Sequence, residues 1–217
     1  MRPCRSFARL SDRAVSNLSR LRALADRACQ DFPQRNAKVA IAHVVLNVQG
    51  AWSAFARSYF LSCVLAPRRR TKGRVTLGGP SVARSFNDAI GVVMGRQKPK
   101  VKPLAGGVWE RRSEPAWHEP NVLRKGCLDL GCSHMVDVEN ALALQTGVFQ
   151  HLPTFRNFFA HRCEETAASA KNIAPQYSIP SSLHPCEILT RSPFGRPFPL
   201  LVDWIDDLIV VIEFLCD

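Results

Sequence analysis

Acidic side chains are scarce in the first half of this 217-residue chain. Residues 1–103 hold 20 Lys and Arg against 4 Asp and Glu, a net charge of +16, whereas residues 104–217 carry −5. Several catalytic patterns are missing altogether. There is no Gly-x-Ser-x-Gly elbow, no His-Glu-x-x-His and no paired carboxylates in a credible site, which excludes serine-hydrolase, zincin and two-carboxylate chemistry. Gly78-Gly79 and Gly106-Gly107 are not followed by Lys-Ser/Thr, so no nucleotide-phosphate loop is expected. A long uncharged apolar run is also lacking. The greasiest segment, 200–215, contains Asp203, Asp206, Asp207 and Glu213, so no membrane span is expected. The Arg-rich N-terminus has no continuous apolar core and meets Asp12 early, so it reads as a first helix rather than a targeting segment.

What remains is a chain of 46% hydrophobic residues with a formal charge of +11, long enough for one domain with a substantial core over residues 1–217. A basic half suits a polyanion, and RNA, DNA and anionic lipid all fit, or it is simply the wet face of arginine-rich helices. Eight cysteines (4, 29, 63, 127, 132, 163, 186 and 216) fall largely inside apolar helical patterns, where they act as small hydrophobes. They read as reduced, and the protein as cytoplasmic. Cys127-x4-Cys132-x-His134 has ligand chemistry, but a second ligand pair at proper spacing is missing, so no metal and no cofactor is expected.

Hydrophobic periodicity predicts an all-α fold, a bundle of about five to six helices with long basic and proline-rich loops. Residues 5–31 repeat Phe7, Leu10, Ala14, Leu18, Leu21, Leu24 and Ala28 at helical spacing, and Pro33 marks a break. Residues 36–64 form a helix apolar around much of its surface, hence central. One line of it differs: His43, Asn47, Gly50, Ala54 and Arg57 follow at steps of four and three. Asn47 and Arg57 are therefore candidates to support a cleft from behind. Trp52 is either a stacking surface or a core side chain. Ser81 is the expected cap of a helix to about Met94, and Ser133 of another that Gly147 ends. A helix from about 153 to 172 is expected next, then a six-proline loop over 173–199 and a last helix over 199–216.

Two basic loops, about 65–80 and 95–118, flank the helix after Ser81. Arg68, Arg69, Arg70, Lys72 and Arg74 in the first, with Lys98, Lys100 and Lys102 in the second, make a candidate contact surface for RNA backbone. Solvated loops without a partner are the other reading.

The densest chemistry lies at Leu152-Pro153-Thr154-Phe155-Arg156-Asn157-Phe158-Phe159-Ala160-His161. Pro153 fits a first helical turn, where its missing N–H costs nothing. An arginine that holds phosphate and a histidine that titrates near neutrality then stand five apart, with Asn157 on the histidine's face.

Arg156-Asn157-x-x-x-His161 on a helix, in an otherwise helical chain, resembles the signature of HEPN-domain ribonucleases. The likeness is sharp over these six residues and loose over the helices around them. It implies a metal-independent endoribonuclease in which His161 is the acid/base, Arg156 the phosphate clamp and Asn157 the orienting residue. It also implies a homodimer whose motifs face one another, RNA as substrate, and a toxin or defence role with a possible antitoxin or regulatory protein. Two other readings stay open: a non-catalytic RNA- or nucleotide-binding module of the same fold, and a helical protein-interaction domain.

Overall fold

A computed structural model describes residues 1–78, 83–144 and 147–217. All regular structure among them is helical: nine α-helices and two short 3-10 turns, with only isolated β-bridges and no strand. The all-α expectation therefore holds, although the helices are more numerous and shorter than the five or six expected.

The chain divides into two compact units, 1–14 with 52–144 and 211–217, and 15–51 with 145–210. Three long helices contribute residues to both: α1 (Phe7–Gln30), α2 (Arg35–Cys63) and α9 (Leu200–Cys216). Each buries the stripe its periodicity marks. Phe7, Leu10 and Leu18 of α1 are fully buried, as are Val44, Val48, Phe55 and Phe60 of α2 and Leu201, Ile205 and Ile212 of α9. By length and composition α2 could cross a bilayer, contrary to the expectation that no segment would. Its apolar side chains are largely those that line the protein core, which accounts for that composition.

In the first unit α3 (Phe86–Gln97) packs on α4 (Pro120–Asp129), and α4 packs on α5 (Met135–Leu142). Phe7 stacks on Tyr59 with centroids 4.4 Å apart. Gly126 lets α4 approach α2, since a Cβ there would stand 3.0 Å from Phe60. The expected cap at Ser81 lies outside the described residues. The observed cap of α3 is Ser85, which accepts from the Asp88 amide while the Asp88 carboxylate accepts from the Ser85 amide. Ser133 does not cap α5 either; His134 holds that position, and the Ser133 hydroxyl accepts from the Thr76 amide.

In the second unit α6 (Gly147–His161) packs on α7 (Glu164–Lys171), and α7 packs on α8 (Pro185–Thr190). Gly147 opens a helix here instead of closing one, and the helix expected over 153–172 is two. The proline-rich stretch also contains a 3-10 turn at Ala174–Tyr177 and α8, each with proline in its first turn. Phe155 meets Trp204 edge-on at 5.6 Å, and Tyr177 meets the same indole at 5.8 Å.

Candidate functional site

The Arg-Asn-x-x-x-His string sits at the C-terminal end of α6, not at its head. Pro153 is the seventh residue of the helix, so it removes a donor from the interior rather than the first turn. Phe155, Phe158 and Phe159 are buried and anchor the segment from one side. Arg156, Asn157 and His161 are consequently exposed. Since the helix runs through His161, Asn157 lies about 40° from it around the axis and Arg156 about 140°. Arg162 then turns left-handed, at φ 50°, while its N–H still bonds to the Phe158 carbonyl at 2.7 Å. That residue ends the helix, and α7 starts two positions later.

Arg162 also lines a groove of about 430 Å³ in the second unit, together with Arg35, Lys38, Phe158, His184 and Cys186. Its cations come from α1–α2 and α6–α7 boundaries, and no carboxylate lines it. His184 caps α8: its Nδ1 accepts from the Cys186 amide at 3.2 Å. The neutral ring therefore carries its proton on Nε2. Burial, then the charges of Lys38 and Lys171, hold this imidazole below its usual pKa, which favours that neutral form. Burial pushes the Cys186 thiol up to about 11, against the pull of Lys38 and Arg162, so it is an inert S–H near neutrality. Two guanidinium groups, an ammonium and an N–H donor around an apolar floor suit an oxyanion such as phosphate. Arg156, Asn157 and His161 do not line this groove. His161 directly precedes the arginine that does.

The expected supporting residues stand elsewhere. Asn47 is exposed and donates to the carbonyl of His43 one turn back at 2.8 Å, so it braces its own helix and not the motif. Arg57 is held bidentately by the buried carboxylate of Glu114 at 2.6 and 2.7 Å. Glu114 also accepts from Trp117 at 2.8 Å and Arg111 at 3.0 Å. That network fixes the interior of the first unit. Trp52 is a core side chain, 2% exposed, and donates to the His118 carbonyl.

The basic loops divide by partner. Arg69 is a correction: it is buried and paired with Asp137 at 2.8 Å, out of reach of a backbone phosphate. Lys72 joins it on Asp137, Arg70 pairs with Asp12, Arg74 donates to the Ala66 carbonyl, and Lys98 donates to the carbonyls of Ser113 and Glu114. Arg68, Lys100 and Lys102 are exposed and carry no side-chain hydrogen bond or ion pair among the described residues.

Sequence reading missed two groupings. The groove cations are split between the start of α2, with Arg35 and Lys38, and the turn after α6, with Arg162, two stretches far apart in the chain, although Arg162 follows the motif histidine directly. The second grouping lies in the first unit, where Cys63 at the end of α2 meets Cys127 and Cys132, all three sulfurs lying within 4.8 Å of one another. The neighbouring sulfurs of Cys127 and Cys63 hold the Cys132 thiol below its ordinary range, against the effect of burial. Spacing from Cys127 onward could not disclose a third ligand so far back in the chain. No protein-family model, curated protein or solved structure matches this chain.

Proposed function

We propose that the chain is a metal-independent endoribonuclease of the HEPN type, acting as a homodimer on RNA. The observation that carries this reading is the joint exposure of Arg156, Asn157 and His161 at the end of α6, one residue before an arginine that lines a carboxylate-free cationic groove. Buried in the core, the same three residues would have spoken for packing.

In this reading His161 takes the proton from a ribose 2′-hydroxyl, and the 2′-oxygen attacks the adjacent phosphorus. Arg156 holds the non-bridging oxygens as charge builds there, and Asn157 orients the imidazole or the sugar. The 5′-oxygen leaves with a proton, so the products are a 2′,3′-cyclic phosphate and a 5′-hydroxyl. Two proton transfers call for two acid/base groups. A second copy about a two-fold axis supplies the second histidine, facing the first across the RNA strand. The groove of Arg35, Lys38, Arg162 and His184 serves as a neighbouring phosphate subsite. A toxin or defence role, with an antitoxin or regulator as partner, is part of the proposal and rests on the family likeness.

The test is an assay for cyclic phosphate ends on mixed RNA, with DNA as control. Cleavage of RNA alone is expected. His161→Ala should lower the rate by about 10²–10⁴, the usual worth of general acid–base catalysis, while leaving the dimer intact. Unchanged cleavage in that variant refutes the assignment. Salt-sensitive RNA binding without product would instead support the non-catalytic binding module, which the groove cations also favour.

A further inference from the structure

The thiol cluster of the first unit carries an inference independent of RNA cleavage. Cys63, Cys127 and Cys132 are all buried, with no disulfide among them. Three thiols so close are hard to explain as ordinary core residues, because a buried hydrophobe is better placed against carbon than against two other polar S–H groups. Tetrahedral zinc with Zn–S bonds of about 2.3 Å places its sulfurs about 3.8 Å apart, so sulfurs within 4.8 Å need to close by about 1 Å at most.

A fourth donor stands next to them in sequence. His134 is 3% exposed, and its hydrogen bonds assign its tautomer. Tyr59 donates its hydroxyl proton to the Leu215 carbonyl at 2.9 Å, since a carbonyl only accepts. The Tyr59 oxygen, 2.7 Å from His134 Nε2, is then the acceptor, and Nε2 carries the proton. The Nδ1 lone pair is left buried and without a partner among the described residues. An unsatisfied acceptor in a core is costly, and a metal ion would satisfy it. Zinc-bound imidazoles characteristically donate their other N–H to a fixed acceptor, which is the part Tyr59 plays here. Nearby, the buried guanidinium of Arg69, paired with Asp137, has an Nε–H without a partner among the described residues.

We infer that Cys63, Cys127 and Cys132 form a structural Zn²⁺ site that ties the end of α2 to α4 and the turn after it, and that Nδ1 of His134, which lies outside the 4.8 Å group of sulfurs, moves in as the fourth ligand when the ion binds. The ion is a clasp. It is closed from solvent and takes no part in the RNA chemistry proposed above.

The test uses the full chain, expressed with zinc and purified without chelator. Elemental analysis should find one zinc per chain. Exchange with Co²⁺ should give thiolate-to-cobalt charge-transfer absorption and the intense visible bands of a tetrahedral site. Cys63→Ser, Cys132→Ser and His134→Ala should each lose the metal, and Tyr59→Phe, which removes the acceptor for Nε2–H, should weaken zinc binding by about 10-fold. Should the serine variants fail to fold, the cobalt spectrum of the unaltered chain still decides the matter. Absence of sulfur charge-transfer bands there, or full zinc content in folded Cys63→Ser, overturns the site. A disulfide between two of the three cysteines in the purified protein overturns it equally.

Discussion

Gly147 opens α6 at a point where no side chain fits. A Cβ on it would overlap the Tyr177 hydroxyl and press on His151 Nδ1 at 3.3 Å. That hydroxyl is itself engaged, accepting from the Trp204 indole at 3.1 Å and lying 2.6 Å from His151 Nδ1. Gly147→Ala should therefore destabilise the protein by about 1–3 kcal/mol through overpacking. In Gly147→Ala with Tyr177→Phe the clash is relieved, so the two changes should cost less together than their sum. Urea denaturation of the four proteins closes the cycle, and strict additivity would show that the hydroxyl does not constrain Gly147. The requirement for glycine here was not legible from its neighbours. A glycine after an apolar periodic stretch reads as a helix stop, and its partner Tyr177 lies thirty residues on. Arg57 illustrates the same limit. Its helical register was readable, but its partner Glu114 comes from an irregular segment whose position only the fold supplies.

At the level of elements, the apolar stripes were the legible part. The extents of α1, α2 and α9 lie within one or two residues of the periodicity, because burying one face decides helix existence more strongly than any cap does. The break between α6 and α7 was hidden, since Arg162 adopts a left-handed conformation that its residue type does not announce. α9 also carries a titration. Burial, and next the charge of Asp203, push the Asp207 carboxyl up to about 6, with Arg196 pulling the other way. In the unfolded chain an aspartate ionises near about 3.9. Between these values the folded protein binds more protons than the unfolded one, so this group makes stability fall as pH rises from about 4 to about 6. Asp207→Asn removes that loss. The variant should melt above the parent protein at pH 7 and match it more closely at pH 4. A difference independent of pH would mean that Asp207 titrates normally.

For the whole molecule, the charge of +11 overstates what is free to meet a polyanion. Of the eight loop cations expected on RNA, Arg69 is buried on Asp137, and Lys98 is tied to two carbonyls. Arg70 and Lys72 are exposed in their ion pairs, where an interaction is weak and readily exchanged for phosphate. Arg68, Lys100 and Lys102 have no side-chain partner to give up among the described residues. If RNA runs over these loops, each neutralised phosphate contributes about −0.7 to the slope of log affinity against log salt for a single strand. Replacing Lys100 and Lys102 together by alanine should then flatten that slope by about 1.4, with little change in melting temperature. Arg69→Ala should behave in the opposite way, lowering stability because it removes a buried side chain and leaves Asp137 with Lys72 alone, and altering the slope only through lost structure. Fluorescence anisotropy with a short single-stranded RNA across a salt series separates the two kinds of cation. A slope unmoved by loss of both lysines would assign the second basic loop to solvation alone and leave the first loop and the groove beside His161 as the candidate phosphate-binding surfaces.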